Sequence, residues 1–281
     1  MNRSRIATVV RTVPTRSARS AAGAQPPRTL WGWALAGALA GVLPALIAFA
    51  PAHWLADGVD HATHGQVLLV QTRGTVWTGS AQLVLTGGNA SKDSAALPGR
   101  VHWQLRPTLT GLQAALKADC CTPEPLQAQA QVGWAGLRVT VADGQSQWPA
   151  DLLTGLGTPW NTLQPQGQLA LQTRALEMRW VAGRMVLAGQ AQLDARTMSS
   201  RLSTLRPMGS YRLAVQGGDV PTLTLSTLEG ALQLSGTGQW VGQRLRFAGE
   251  ARAAPDREAA LANLLNIIGR RSGARSIITV G

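Results

Sequence analysis

The chain has 281 residues, 45% of them hydrophobic, and a formal net charge of +12. Six of its 26 basic residues are arginines in the first 29 positions, where no acidic residue occurs, which leaves 20 basic and 14 acidic residues in the rest. That remainder has no dense Lys/Arg run and no basic patch interleaved with aromatic residues, so the composition argues against nucleic-acid binding.

An uncharged block follows the basic tail: residues 30–50 read LWGWALAGALAGVLPALIAFA. A helix of about 20 apolar residues spans the roughly 30 Å hydrocarbon core of a bilayer. Trp31 and Trp33 lie at one end of the block and Trp54 lies just past the other, and indole side chains prefer membrane–water interfaces. The block therefore predicts a transmembrane helix with these three tryptophans at the membrane interfaces.

The arginines of the tail predict the orientation of this helix. Arg16, Arg19 and Arg28 precede the block most closely, and positive residues near a span stay on the cytoplasmic side, where they also attract anionic lipid headgroups. We therefore expect a cytoplasmic N-terminus and a C-terminal domain beyond the membrane. The predicted organisation is a basic tail, a transmembrane helix, a juxtamembrane stalk and a β-rich domain, with bounds 1–29, 30–50, 51–64 and 65–281.

The N-terminus has two other possible interpretations. Ala48-Phe49-Ala50 has the small-x-small form of a signal-peptide cleavage site, but Pro51 follows it and the apolar run exceeds the usual 7–15 residues. The Arg/Ser-rich start without acids also resembles a mitochondrial transit peptide. An uncleaved anchor is the interpretation that the length and the following proline favour.

Beyond residue 65 the main signal is alternation with a period of two. In residues 183–195, GRMVLAGQAQLDA, one face is mostly polar and includes Asp194. The other face is apolar and carries Leu187, Gly189 and Ala191. This alternation is the pattern of a half-buried strand. Similar segments follow glycines every 10–15 residues, which is typical of an antiparallel meander joined by short turns. We therefore predict a mainly β domain, formed either as two stacked sheets or as one curved sheet. Small residues such as Gly189 and Ala191 would permit close sheet packing or a shallow groove for an acyl chain.

Helical content is expected to be small. Residues 148–157 could form one short helix, and residues 255–271, PDREAALANLLNIIGRR, form a better candidate. There Asp256 can cap the helix and Glu258 favours its first turn, while Gly269 can end it. Its predicted apolar face consists of Leu261, Leu264, Leu265 and Ile268. The last residues, 275–281, are predicted to form a final strand.

The two cysteines are adjacent, Cys120 and Cys121. They could pair with each other, remain thiols or link to another chain, and they do not form a CxxC redox or zinc motif. An oxidising compartment would favour the local disulfide.

No catalytic, cofactor-binding or metal site can be assigned from the sequence. Asp57, Asp60, His61 and His64 have residue types that bind metals, but a polar stalk leaving the membrane is the favoured interpretation. His102 lies in a predicted strand without an evident partner. The chain contains no nucleophile-elbow, phosphate-loop, zinc-protease or dinucleotide motif. We therefore predict a protein that is not an enzyme and needs no cofactor.

The order of several local segments resembles the type II secretion system protein N family over nearly all of the chain after the tail. These segments are GTVWTGSAQL (74–83), LPGRVHWQLRP (97–107), the cysteine pair, LGTPWNTLQPQGQL (156–169) and NLLNIIGRRSGARSIITVG (263–281). The resemblance implies a single-pass inner-membrane accessory component with a periplasmic domain. It further implies docking to other secretion subunits during export of folded proteins across the outer membrane, and it implies no catalytic residues.

The β-rich character is also similar to AsmA-like proteins, whose long sheets are associated with lipid handling. The second hypothesis is therefore a lipid-binding β-groove. It predicts a continuous open channel lined by residues such as Leu187, Leu193, Leu232 and Leu245.

Overall fold

A computed structural model describes residues 29–134, 136–181, 184–242 and 244–281. The basic tail, including Arg16, Arg19 and Arg28, lies outside the described residues, so its predicted topology role stays a prediction. The chain divides into two compact units, one ending at Leu46 and the other running from Ile47 to Gly281.

The helices are α1 (Thr29–Ala48), α2 (Ala52–Ala62), a 3₁₀-helix (Ala150–Leu156), α3 (Trp160–Leu163) and α4 (Glu258–Ile268). The first eight strands are β1 (Val67–Gly74), β2 (Thr78–Thr86), β3 (Ser94–Ala96), β4 (Val101–Thr108), β5 (Gly111–Ala118), β6 (Leu126–Gly133), β7 (Gly136–Val141) and β8 (Gly144–Pro149). The remaining eight are β9 (Gln166–Val181), β10 (Arg184–Ser199), β11 (Gly209–Gly218), β12 (Thr222–Gly230), β13 (Leu232–Val241), β14 (Arg244–Ala253), β15 (Arg270–Ser272) and β16 (Arg275–Val280).

Helix α1 forms where the uncharged block predicted a helix. Its side chains from Trp31 to Phe49 are exposed, and among the described residues it is the one helix long and apolar enough to cross a membrane. Pro44 lies inside the helix, a position that membrane helices tolerate better than soluble ones.

All sixteen strands belong to one antiparallel sheet, so the predicted mainly β meander is confirmed. The hydrogen-bonded order is β1-β2-β4-β5-β6-β7-β9-β10-β11-β12-β13-β14-β16-β15. Two strands each pair with two neighbours along one edge: β2 pairs with both β4 and β3, and β9 pairs with both β7 and β8. The described strands therefore form one open sheet rather than two stacked sheets.

Antiparallel order places alternate turns at opposite ends of the strands. The turns after β1, β4, β6, β9, β11 and β13 lie at one end, which we call the hairpin rim. The 3₁₀-helix, α3 and the start of α4 connect strands at the other end, which we call the helix rim.

The largest core cluster lies under α4. Leu261, Leu264 and Leu265 of α4 are fully buried against Leu232 and neighbouring residues of the sheet, and burial of each such side chain contributes about 1.5–3 kcal/mol. The predicted apolar face of this helix is therefore confirmed, with Ile268 packed at the cluster's margin.

The predicted cap of α4 is wrong. Arg257 is the N-cap residue, and no side chain there bonds to the backbone. Asp256 has a positive φ of 64° and lies one residue before the N-cap position, so its carboxylate does not cap the helix. The helix does end at Gly269, which is extended.

Two smaller clusters support the rest of the sheet. One joins Leu97 and Val101 to Cys121 and to Leu152 of the 3₁₀-helix, the predicted short helix of residues 148–157. The other packs Ala52 of α2 on Trp103 of β4. Residues 51–64, predicted as a stalk, thus include a helix that lies on the sheet.

The sequence pattern predicted that Gly189 permits close sheet packing or a shallow groove, but in the structure it has a different role. It lies at a β-bulge between β9 and β10, where the register shifts after Ala188, and its φ is +81°. A Cβ there would collide with the carbonyl oxygen of Ala175. The backbone conformation, and not sheet packing, therefore requires glycine at this position.

Replacing Gly189 with alanine should lower the free energy of unfolding by about 1–3 kcal/mol, because the variant must hold a non-glycine residue in strained backbone or lose the bulge. Gly133→Ala is the matched control, since Gly133 lacks a positive φ and has open space around its Cβ position; it should change stability by less than about 0.5 kcal/mol. Denaturant unfolding of both full-length variants checks this, and equal stabilities would contradict the assigned strain.

Candidate functional site

One face of the sheet is apolar from strand to strand. Cross-strand pairing aligns Leu112 with Ala130, Ala130 with Val139, and Val139 with Met178. Met178 then pairs with Leu187 of β10. Directly opposed side chains lie about 5 Å apart, so these residues form one continuous apolar row across five neighbouring strands, from β5 to β10.

The longer helices cover the two ends of this face, and the 3₁₀-helix covers part of it at the helix rim. Helix α2 packs on β1 and β2, the 3₁₀-helix packs on β2, β3 and β9, and α4 packs on β14, β15 and β16. Within the described residues most of β5, β6 and β7 has no helix packed on it. Ala118 at the end of β5 is buried beside the 3₁₀-helix, and the other apolar side chains of these three strands are half-buried or exposed. We call this surface the central apolar face and define it by Leu105, Leu112, Ala130, Val139, Leu176 and Met178.

The opposite face of the same strands is polar. A shallow groove there is lined by side chains that include Gln104, Arg106, Gln113, Gln129 and Thr140. Successive residues of one strand therefore lie on opposite surfaces. Leu112 is half-buried on the apolar face, whereas Gln113 is exposed on the polar face. Neighbouring substitutions can therefore test each face separately.

The four leucines named for a lipid channel do not line one open surface. Leu232 is 2% exposed and lies in the core under α4, and Leu187 is buried as well. Leu193 and Leu245 are half-buried on the same face of the sheet. The surface available to a ligand or partner is therefore the central apolar face and not the predicted channel.

Asp194 is a charged residue that lies buried in the sheet. The Nε and Nη2 of Arg212 lie 2.8 and 2.9 Å from its two carboxylate oxygens, Arg196 lies 3.5 Å away, and the amide of Gln192 donates at 3.1 Å. The hydrogen bonds from Arg212 hold the pKa of Asp194 below its usual value, although burial opposes this shift. The sequence predicted an outward-facing, solvated residue, but Asp194 is only 2% exposed because its partners close over the carboxylate.

His102 also has a partner that the sequence did not reveal. Its Nε2 lies 3.2 Å from a carboxylate oxygen of Asp119, because β4 and β5 are paired so that His102 opposes Lys117, two residues before Asp119. The backbone N–H of Arg100 and, less strongly, His102 lower the pKa of Asp119. Both side chains are about half exposed, so this pair stabilises a turn and forms no enclosed site.

The Cys120–Cys121 turn follows Asp119 directly. The two residues are linked as a vicinal disulfide, with Cα atoms 3.7 Å apart. Cys120 is exposed, whereas Cys121 is buried in the cluster with Leu97 and Leu152. The Cys121 carbonyl also accepts a hydrogen bond of 2.7 Å from the N–H of Gln147, so this turn connects β5 to β8 across the helix rim.

A family model described as "Type II secretion system (T2SS), protein N" matches residues 65–278, a range that runs from just before β1 into β16. The chain belongs to the type II secretion system protein N family. No curated protein and no solved structure gives a significant match.

For this member of the protein N family, the central apolar face is the feature of the described residues on which a functional proposal can rest. No group of three or more His, Cys, Asp or Glu side chains in the described ranges is placed to hold a metal ion. Of the tryptophans predicted at membrane interfaces, Trp31, Trp33 and Trp54 are all exposed; their contact with lipid stays a prediction. The central apolar face was missed by sequence reasoning, although the alternation of Leu112, Ala114 and Leu116 in β5 was a usable signal.

The Asp194 cluster predicts how stability depends on pH in this protein N. Because the folded-state pKa of Asp194 is depressed, its stabilising contribution is complete above the unfolded-state value of about 4 and is lost as the pH falls through the folded-state value. Asp194→Asn should therefore lower the free energy of unfolding by about 1–3 kcal/mol at neutral pH. The difference from the wild type should shrink on acidification below about pH 4.

Glu250→Gln is the control for this measurement, because Glu250 bonds to the more exposed Arg252 and Arg275 and such pairs contribute about 0–1 kcal/mol. Unfolding of full-length protein over a pH series provides the data. A loss at Asp194 that does not vary with pH would contradict the charge-based account.

Proposed function

We propose that this protein is a non-catalytic inner-membrane component of the type II secretion system. In this role its sheet unit lies in the periplasm and docks on other secretion subunits, taking part in the export of folded proteins across the outer membrane. The family match over the whole sheet is the observation that carries the proposal. Its physical support is a sheet with an uncovered apolar face and no constellation of catalytic groups among the residues assigned above.

Helix α1 serves as the membrane anchor in this proposal. Its length and apolar composition suit a bilayer span, and the six arginines before it favour a cytoplasmic N-terminus. The sheet unit then follows on the periplasmic side. The periplasm is oxidising, which agrees with a bond between Cys120 and Cys121.

The central apolar face is the docking surface in this proposal. Monomeric soluble proteins rarely expose large contiguous apolar patches, and such patches mark interaction sites. Leu112, Ala130, Val139 and Met178 occupy neighbouring strands of one hydrogen-bonded sheet, so they present a pre-formed surface. A partner subunit can bury this surface without a large change in the backbone.

A reporter fused after Gly281 should be exported. Alkaline phosphatase at this position should be active, and β-galactosidase should be inactive, because the proposed span places the C-terminus in the periplasm. Fusions after residue 28 are the control and should give the opposite pair of activities. β-Galactosidase activity from the fusion after Gly281 would overturn the proposed location.

Leu112→Asp should abolish docking and reduce secretion toward the level of a deletion strain, because the carboxylate would be desolvated at the interface. Gln113→Asp is the matched control: it adds the same charge one residue further along β5, on the polar face, and should leave secretion near the wild-type level. The measurement is activity of secreted hydrolases in the culture supernatant, with immunoblots showing equal amounts of both variants in the membrane. Equal secretion by both variants would contradict docking through this face.

A further inference from the structure

The hairpin rim carries the most exposed large hydrophobic side chains in the sheet unit. Leu109, at the tip between β4 and β5, is 107% exposed relative to an isolated residue, and Trp134, at the tip between β6 and β7, is 109% exposed. Val181 ends β9 at the same rim and is exposed as well. These exposed side chains contribute no hydrophobic burial to the stability of the fold, so their presence at the rim needs another explanation.

These tips form one surface. The N–H of Val132 donates to the carbonyl of Thr110 at 2.9 Å, which joins the first tip to the second. Leu137 pairs with Val132 on one side and with Trp180 on the other, and Trp180 pairs with Met185. We call this surface the hairpin patch and define it by Leu109, Val132, Trp134, Leu137, Val181 and Met185.

The chain enters the sheet unit at the same rim. The carbonyl of Ala50 accepts a hydrogen bond of 2.8 Å from the N–H of Val76, in the turn after β1, and Pro51 pairs with Thr75. The exposed Trp54 lies in the first turn of the helix that follows. The residues that come directly after the proposed span are therefore fixed to the rim that carries the hairpin patch.

The patch projects beyond this entry point along the strand direction. The N–H of Leu105 donates to the carbonyl of Trp77 at 2.6 Å, which aligns that part of β4 with the turn after β1. Leu109 lies four residues further along the chain. At about 3.3 Å per residue, the tip extends on the order of 10 Å past the level at which the chain enters.

The charged residues next to the β6–β7 tip lie further along the strands, behind it. The sequence from Pro107 to Leu112 and from Leu126 to Leu137 contains no charged residue. Arg138 and Arg179 follow on the adjoining part of the strands, where they share Glu177 at 3.4 and 3.1 Å and leave one positive charge in excess. The β4–β5 and β6–β7 tips are thus uncharged with arginines set back from them, and Arg184 lies opposite Val181 at the β9–β10 tip. This order matches that of acyl chains and anionic headgroups in a bilayer.

We propose that the hairpin patch inserts into the surface of the phospholipid bilayer that holds the proposed span. Leu109 and Trp134 enter the interfacial zone, and Arg138 and Arg179 contact anionic headgroups. This contact orients the sheet with its strands directed at the membrane, and it leaves the central apolar face open sideways. The inference rests on the single span of the proposed function and adds a second membrane contact to it.

A protein partner fits these observations less well. The cleft between the tips, lined by residues that include Val132, Trp134 and Leu137, is shallow and open, whereas hot spots of protein interfaces are typically enclosed by a rim that excludes water. The arginines behind it have the sign that anionic lipid attracts. Trp134 is therefore assigned to lipid, and a protein contact becomes an outcome that the test can detect.

The experiment uses full-length protein labelled with fluorotryptophan and reconstituted in nanodiscs of phosphatidylethanolamine and phosphatidylglycerol. Trp134→Phe and Trp160→Phe assign two of the ten tryptophan resonances. Trp160 is the matched control, since it is also exposed but lies in α3 at the helix rim. Fluorine spectra are recorded with a phospholipid that carries a nitroxide high on its acyl chain, and separately with a water-soluble gadolinium chelate.

The proposal predicts that the lipid nitroxide broadens the Trp134 resonance while the chelate leaves it sharp, and that Trp160 shows the reverse. Broadening of Trp134 by the chelate alone would overturn the proposal. A photo-reactive residue at position 134 that crosslinks in cells to a discrete protein, and not to lipid, would overturn it as well. Extraction of the protein from membranes by carbonate would instead refute the span of the proposed function, so the two failures are distinguishable.

Discussion

The structure depends on one constraint: a sheet with an apolar face must cover that face or present it to something else. Sixteen strands share one ladder of backbone hydrogen bonds, so the face runs unbroken from α2 at one end to α4 at the other. Each helix is only eleven residues long, about 16 Å, whereas fourteen strands side by side span on the order of 60 Å. Helices α2 and α4 can therefore cover only the ends of the face, and the 3₁₀-helix covers part of its middle at the helix rim.

A β-bulge, an ion pair and a turn hold the strands of this large sheet in a single register. The bulge at Gly189 restores pairing between β9 and β10 after a register shift, and the Asp194–Arg212 pair ties β10 to β11 through charged side chains. At the helix rim, the turn at Cys121 joins β5 to β8 and to the 3₁₀-helix. These features explain why the surfaces of the protein are separate: structural charges on one face, apolar side chains on the other, and hairpin tips at one rim.

Much of the architecture could be predicted from the sequence because it depends on local periodicity. Alternation indicated the strands, the spacing of Leu261, Leu264 and Leu265 indicated the buried face of α4, and the uncharged block indicated α1. The order of the segments was sufficient for the family, which the match over residues 65–278 confirmed.

The remaining features depend on which strands become neighbours, and periodicity carries no such information. Asp194 is buried because Arg212, eighteen residues away, pairs beside it. His102 meets Asp119 only after β4 and β5 align. Gly189 likewise reads as an ordinary small residue in the sequence, because its bulge exists only once β9 and β10 pair and bring Ala175 close to it. The central apolar face was hidden for the same reason, since its residues come from strands that are adjacent only in the folded sheet.

Site-specific photocrosslinking at residue 112 tests the central claim most directly. A photo-reactive amino acid replaces Leu112 or, as the control, Gln113 in cells that contain a working type II secretion system, and crosslinked products are identified by mass spectrometry. The account predicts a crosslink from position 112 to another secretion subunit and none from position 113. Crosslinks from 113 alone, crosslinks from neither position, or products from 112 that contain only lipid would contradict it.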